Sequence, residues 1–410
     1  MKNPFIRHIG SVLTGSLIAQ LIPIAGTLLL ARIFDPAAFG VFSAWLGVVL
    51  FLGVVVTCRF EAALAVEEDG QARSTAVVMI FMTIVLMSSL ALFILAILSL
   101  VSASLLDKWP SELLLTLVPA SALLAASQTL QNWAAADGRY RHLTVIRIAQ
   151  ASAIVILQIL IGFFWPSASG LGLGYFLGVC AGLGVAIAIM PLRKISLADS
   201  RNNLVSYWKR NRRFPIYSLP ADAINTAAAQ MPVLIVAARF GSETAGLLAM
   251  ALRILGAPMS LLAVAVLDVF KRHAGQAYRE RGECRDEYLH AFKMLLLVSV
   301  VAGIVIVVGA EPLFTLAFGE VWVGAGTMAL WLLPRFLLGF IASPLSYMVY
   351  IAGKQHLDLV WQLVLVAMTL ATLQLINTVQ WALIFYSLGY GLLYLVYMGM
   401  SYRFSVGVGR

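Results

Sequence analysis

From Gly10 to Ala31 the chain reads GSVLTGSLIAQLIPIAGTLLLA, a run without a charged side chain that follows a basic stretch holding Lys2 and Arg7. A helix rises about 1.5 Å per residue, so about 20 apolar residues cross the roughly 30 Å hydrocarbon core of a bilayer. The run meets that length. It also exceeds the roughly 7–15-residue apolar core of a signal peptide, so it reads as an uncleaved first span.

The same window, moved outward, finds runs at 39–58, 75–106, 112–136, 146–165 and 170–191. After a basic linker they resume at 214–238, 244–267, 291–310, 325–352, 357–377 and 380–402. The fold class expected is therefore an all-α integral membrane protein of about twelve spans. Composition agrees: 61% of the 410 residues are hydrophobic and 11% charged, and mean hydropathy is +0.93, whereas a soluble domain carries about 25% charged residues. The net charge of +9 does not point to nucleic acid, because the charges cluster in short segments between apolar runs. Cys58, Cys180 and Cys284 lie too far apart for a disulfide framework or a ligand spacing, and no metal site is expected.

Orientation follows from Lys and Arg. With a cytoplasmic N-terminus, only Arg32, Lys108 and Arg239 fall in outer loops and Arg253 and Arg335 fall within spans. The other 23 of the 28 cations are then on the inner side, as the positive-inside rule requires. Both termini are expected in the cytoplasm.

The chain also repeats. LARIFDPAAFG at 30–40 closes span one, and AARFGSETAG at 237–246 closes span seven. Each is Ala-Arg, a short acidic turn and a glycine opening the next span. Two halves with an even number of spans make parallel repeats about an axis along the membrane normal. The expected organisation is a six-helix bundle at 1–191, a basic cytoplasmic linker at 192–213 and a second six-helix bundle at 214–410, around a central cavity. Pro23, Pro220, Pro232, Pro258, Pro334 and Pro344 interrupt spans and kink helices. Gly174, Gly178 and Gly182 form a small-residue stripe for close helix contact.

Enzymatic constellations are missing. There is no phosphate-binding loop of the ATPase type, and His8, His142, His273, His290 and His356 are scattered beside cytoplasmic loops. No catalytic residue is assigned. The outer loops are short, the longest around Glu311 to Val323.

Ionisable side chains at span depth are expensive and mark function by default. Arg253 and Arg335 lie well inside spans eight and ten, Arg59 at the inner end of span two with Glu61 beside it, and Asp222 in span seven. Planar guanidinium forks suit a diphosphate, and acidic groups suit a coupling proton or sodium ion. Arg32 and Arg239, at the outer ends of spans one and seven, suit snorkelling to headgroups or gating. An Asp222–Arg253 bridge would be a structural alternative for that pair.

Several blocks carry a resemblance. LLARIFDPAAFGVF at 29–42, CRFEAALA at 58–65, the stretch Trp133 to Tyr140, RFPIYSLPA at 213–221, QMPVL at 230–234 and RILGAP at 253–258 resemble flippases of lipid-linked O-antigen and exopolysaccharide units. These are polysaccharide transporters of the multidrug/oligosaccharidyl-lipid/polysaccharide exporter superfamily. The resemblance implies a flippase rather than an enzyme. Its cargo would be an undecaprenyl-diphosphate-linked oligosaccharide, moved by alternating access on an ion gradient with no cofactor. Arg59, Arg253 and Arg335 are implied as diphosphate ligands, Glu61 and Asp222 as ion-coupling groups. Membrane lipids, and a polysaccharide polymerase and glycosyltransferases, are the implied partners. Peptidoglycan-precursor flippases carry an Arg-Asp pair midway along span one, where this chain has Gly26 and Thr27, a departure that argues against that cargo. Two other readings remain: a drug/cation antiporter of the same superfamily, and a membrane glycosyltransferase or polymerase using Glu311 or Glu320.

Overall fold

A computed structural model describes the backbone of residues 4–68, 70–101, 109–192 and 204–407. Among these, all regular structure is helical. Ten helices are long and apolar enough to cross a membrane, and Ile18–Ile33 adds a shorter apolar segment. The separation of spans three and four near Asp107 and Lys108, and residues 193–203 of the basic linker, lie outside the described residues.

By contact density the chain divides into two compact units, Met1–Ala237 and Ala238–Arg410. The first contains α1 (Pro4–Ile33), α2 (Pro36–Val56), a 3-10 helix (Phe60–Ala65), α3 (Gln71–Val101), α4 (Ser111–Ala136), α5 (Tyr140–Phe164), α6 (Ala168–Ile189), the short α7 (Leu204–Arg210) and most of α8 (Leu219–Phe240). Local chemistry sets these ends. Asp35 caps α2, its Oδ1 accepting the Ala38 N–H at 2.7 Å with Pro36 in the first turn. This satisfies one of the donors a helix start leaves open. Ser167 caps α6 in the same way through Gly170.

Apolar burial does not drive helices together inside a bilayer, so close packing and interhelical hydrogen bonds must hold them. Both are present. Trp45 Nε1 of α2 donates to the Leu113 carbonyl of α4 at 2.8 Å. The glycine stripe of α6 lies directly on α5: Gly174, Gly178 and Gly182 face Gln158, Ile154 and Gln150 respectively. The two glutamines stay polar-satisfied, Gln158 donating to the Leu171 carbonyl and Gln150 accepting from Ser127 and Gln131 of α4.

The second unit holds the rest: α9 (Ser242–Arg281), α10 (Arg285–Phe318), a 3-10 turn (Glu320–Trp322), α11 (Val323–Trp331), α12 (Leu333–Leu345), α13 (Met348–Ile351), α14 (Gln355–Leu375) and α15 (Val379–Ser405). Helix α9 has 40 residues, about 60 Å of helix, twice the hydrocarbon thickness. Gly282, at φ 75°, ends it in the left-handed conformation that glycine adopts most readily.

Two details differ from the sequence reading. The stretch around Glu311 to Val323 is mostly helix, because α10 runs through Pro312 to Phe318. The run 325–352 is not one span helix but three pieces, interrupted at Leu332 and at Ser346–Tyr347. Pro334 opens α12, where its missing N–H leaves no bond unmade, and Pro344 falls in the last turn. Broken helices at membrane depth occur where irregular backbone is buried in protein or lines a cavity.

Candidate functional site

In the first unit, three of the sequence candidates meet. Helix α2 ends at Val56, and Cys58 and Arg59 then both take positive φ, 48° and 59°. This is uncommon for residues with a side chain. Thr57 supports the turn, donating its hydroxyl to the Val54 carbonyl and accepting the Arg59 N–H. Phe60, fully buried, anchors the far side against Tyr207 and Trp208 of α7. The turn therefore points Arg59 where a continuing helix would not. Its Nη1 donates to Glu61 Oε1 at 2.8 Å and its Nε to Asp222 Oδ2 at 2.5 Å. The Arg59 side chain is 31% exposed, Asp222 36% and Glu61 only 5%. Glu61 Oε2 is buried with no hydrogen-bond partner.

One guanidinium between two carboxylates leaves this cluster net negative, which repels a phosphate. Arg59 is available to an anion only when a carboxylate lets go of it. Asp222 thus has Arg59 as its ion-pair partner.

A second ionic knot lies alongside, and sequence reasoning counted its arginines only for topology. Arg73 is buried and donates to the carbonyls of Leu64, Glu67 and Ala136 and to Asp137 Oδ1 at 2.8 Å. It ties the 3-10 helix and α3 to the end of α4. Glu67 in turn accepts from Arg210 and Asn211. With four of its five N–H donors engaged by protein groups, Arg73 is structural.

In the second unit, Arg335 sits in the first turn of α12. Its backbone N–H, one of the open donors of that turn, is taken by Ser387 Oγ of α15 at 3.1 Å. The guanidinium lies over the rings of Tyr390, Tyr386 and Phe336, 4.7, 5.2 and 5.2 Å from their centroids. Tyr386, Tyr390 and Tyr394 repeat every four residues and so share one face of α15. Cation–π contact stabilises a guanidinium but supplies no acceptor for its N–H groups. Arg335 Nη1 is buried without a hydrogen-bond partner, and no carboxylate lies within ion-pair distance among the described residues. Arg335 borders a cleft of about 150 Å³ walled by Gly256 and Met259 of α9, Gly339 and Ser343 of α12, and Tyr394.

Arg253 is half-buried on α9 one turn before Gly256, so the two share a helix face. Arg239 Nη1 donates to the carbonyls of Leu373 and Ile376 at the end of α14, a cation closing the negative end of a helix. Arg32 is exposed at the end of α1. Elsewhere in this unit a cavity of about 430 Å³ is lined by His273, Glu287 and His290 with apolar residues such as Phe270 and Met294. It contains no cation of the Arg335 kind.

A family model described as polysaccharide biosynthesis protein matches residues 29–326. No curated protein matches the chain. Among solved structures, the lipid II flippase MurJ in an inward closed conformation superposes with a TM-score of 0.73 at 13% identity, over 96% of this chain and 87% of that one. An inward-facing multidrug resistance MATE family transporter of the MOP superfamily gives 0.60 at 14%, over 96% and 93%. A MOP superfamily transporter from Pyrococcus furiosus with a binding pocket of reverse polarity gives 0.55 at 16%, over 98% and 95%. Identities this low establish the fold: an all-α membrane architecture common to these transporters.

Proposed function

The chain belongs to the polysaccharide biosynthesis protein family, and from that premise we propose that it is a flippase for an oligosaccharide linked through a diphosphate to a polyprenyl lipid. One observation carries this reading. Arg335 is a cation at span depth whose Nη1 is buried without an acceptor, with no carboxylate within ion-pair distance among the described residues, beside a cleft. Such a group is costly unless something anionic completes it. A diphosphate supplies both the acceptor oxygens that the planar guanidinium fork can engage and the negative charge. Arg253, one turn from the Gly256 wall of that cleft, adds a second positive charge toward a doubly anionic group.

Arg59, Glu61 and Asp222 act in this reading as the coupling cluster. A proton or sodium ion taken up by Glu61 or Asp222 weakens that carboxylate's hold on Arg59 and frees the guanidinium, linking ion entry to a change in cation placement during alternating access. The inner-leaflet loops and both termini face the cytoplasm of a bacterial inner membrane. Glycosyltransferases provide the cargo and a polymerase consumes it.

The test is Arg335→Ala and Arg335→Lys in cells lacking the native copy, with surface polysaccharide and the lipid-linked unit both quantified. Losing a charge-assisted hydrogen bond is worth about 1.5–3 kcal/mol. Arg335→Ala should therefore cut surface polysaccharide by about tenfold or more, while the lipid-linked unit accumulates. Arg335→Lys should recover part of the loss. Wild-type polysaccharide from Arg335→Ala would remove the diphosphate role.

A further inference from the structure

Beside the Arg335 cleft lies a second one, of about 180 Å³, lined by Ser343, Ser346, Asp358, Trp361, Tyr394 and Tyr397. Ser343 and Tyr394 border both clefts. We propose that this second cleft is the subsite for the sugar ring joined directly to the diphosphate. The proposal rests on the flippase reading and extends it from the anion to the saccharide.

The walls have the two chemistries a pyranose needs. A sugar ring has apolar C–H faces and a polar rim. The rings of Trp361 and Tyr394 stand 5.6 Å apart, and Tyr397 meets Trp361 edge-on at 5.0 Å. They make an aromatic platform, held in place because Trp361 Nε1 donates to the Leu393 carbonyl at 3.1 Å.

The polar side is equally fixed. Asp358 Oδ1 accepts from the Tyr397 hydroxyl at 2.8 Å, and Oδ2 from Gln362 Nε2 at 2.9 Å and the Tyr350 hydroxyl at 3.2 Å. An ionised carboxylate offers about four acceptor positions, so three donors lock its orientation and leave capacity on Oδ1 for a hydroxyl. The Ser346 hydroxyl, committed to the Ser343 carbonyl, still accepts. An aromatic wall with a few fixed polar groups is the usual make-up of a small-ligand pocket.

Position completes the argument. In the cargo, the first sugar and the diphosphate are neighbours in one molecule. Here the cation-lined cleft and the aromatic-acid cleft adjoin through two shared residues, Ser343 of α12 and Tyr394 of α15.

The experiment titrates purified full-length protein calorimetrically with farnesyl diphosphate, and with the same lipid diphosphate bearing N-acetylglucosamine or galactose. The wild type should bind at least one sugar-bearing probe about tenfold more tightly than farnesyl diphosphate. Trp361→Leu and Asp358→Asn should each remove that advantage and leave farnesyl diphosphate binding unchanged, while Trp361→Phe retains most of it. Equal binding of all three probes by the wild type, or an advantage that survives both Trp361→Leu and Asp358→Asn, overturns the subsite alone. If Arg335→Gln binds every probe as the wild type does, the flippase reading itself loses its anion site. Absence of binding by the wild type overturns both.

Discussion

Gly178→Leu should leave no monodisperse protein after detergent extraction, and Gly178→Ala should yield protein of markedly lower thermal stability. A Cβ at Gly178 falls 2.4 Å from the Ile154 Cα and 2.7 Å from its backbone nitrogen. Those are main-chain atoms and cannot swing aside as a side chain can. Gly174 is in the same position, with its Cβ 2.6 Å from the Gln158 Cα. Accommodating a methyl group means moving α5 off α6. That separation pulls Gln158 from the Leu171 carbonyl. Overpacking alone costs about 1–3 kcal/mol, and a buried amide left without partners adds about 1–3 kcal/mol. Gly184 on the same helix is the control, since a Cβ there meets nothing within 4 Å. Gly184→Ala should be neutral or stabilising by up to about 1 kcal/mol from helix propensity. Thermal unfolding followed by size-exclusion chromatography separates the cases. Equal midpoints for Gly178→Ala and Gly184→Ala would sink the packing account.

That glycine stripe was legible because its four-residue spacing names a helix face. The spans were legible for a similar reason, since hydropathy over a helix-length window reports the solvent each segment needs. The interruption of span ten was not. Residues 325–352 hold one charge, Arg335, among mainly apolar residues, and the breaks at Leu332 and Ser346 show only as two prolines that could equally have kinked one helix. Arg335 could be flagged from its depth alone, but its setting could not: Tyr386, Tyr390 and Tyr394 read as ordinary apolar positions of span twelve. Asp358 and Trp361 were missed although a carboxylate at the start of span eleven was visible. Its value comes from Tyr397, Gln362 and Tyr350, and only the folded chain brings all three to it. The Arg59–Asp222 contact joins residues 163 positions apart, beyond any periodicity. The alternative open to sequence is a bridge of Asp222 to Arg253. The left-handed turn at Cys58–Arg59 decides the partner, and nothing in those two residue types announces such a turn.

That turn gives the second large effect. Arg59→Ala should destabilise the protein by about 3 kcal/mol, near the low end of the 3–5 kcal/mol seen when one member of a buried ion pair is removed. Glu61 dominates the loss. It is 5% exposed and already has one oxygen without a partner, so without Arg59 it is a buried, uncompensated anion. Asp222, at 36% exposure, contributes little, as solvent-accessible ion pairs do. The charge effect can be separated from the backbone effect at this residue. With φ at 59°, alanine keeps a left-handed strain of about 1–2 kcal/mol that glycine does not have. Arg59→Gly should therefore be less destabilising than Arg59→Ala by roughly 1 kcal/mol, although both lose the same charge. Adding Glu61→Gln to either should recover most of the remaining deficit, because the isolated carboxylate, rather than the missing guanidinium, is what destabilises. Chemical or thermal unfolding of the purified variants reads all of these. If Glu61→Gln adds its own penalty to Arg59→Ala instead of relieving it, Glu61 is held by groups other than Arg59. The coupling role proposed for the cluster would then lose its physical basis, because proton or sodium uptake by that carboxylate would leave the arginine where it is.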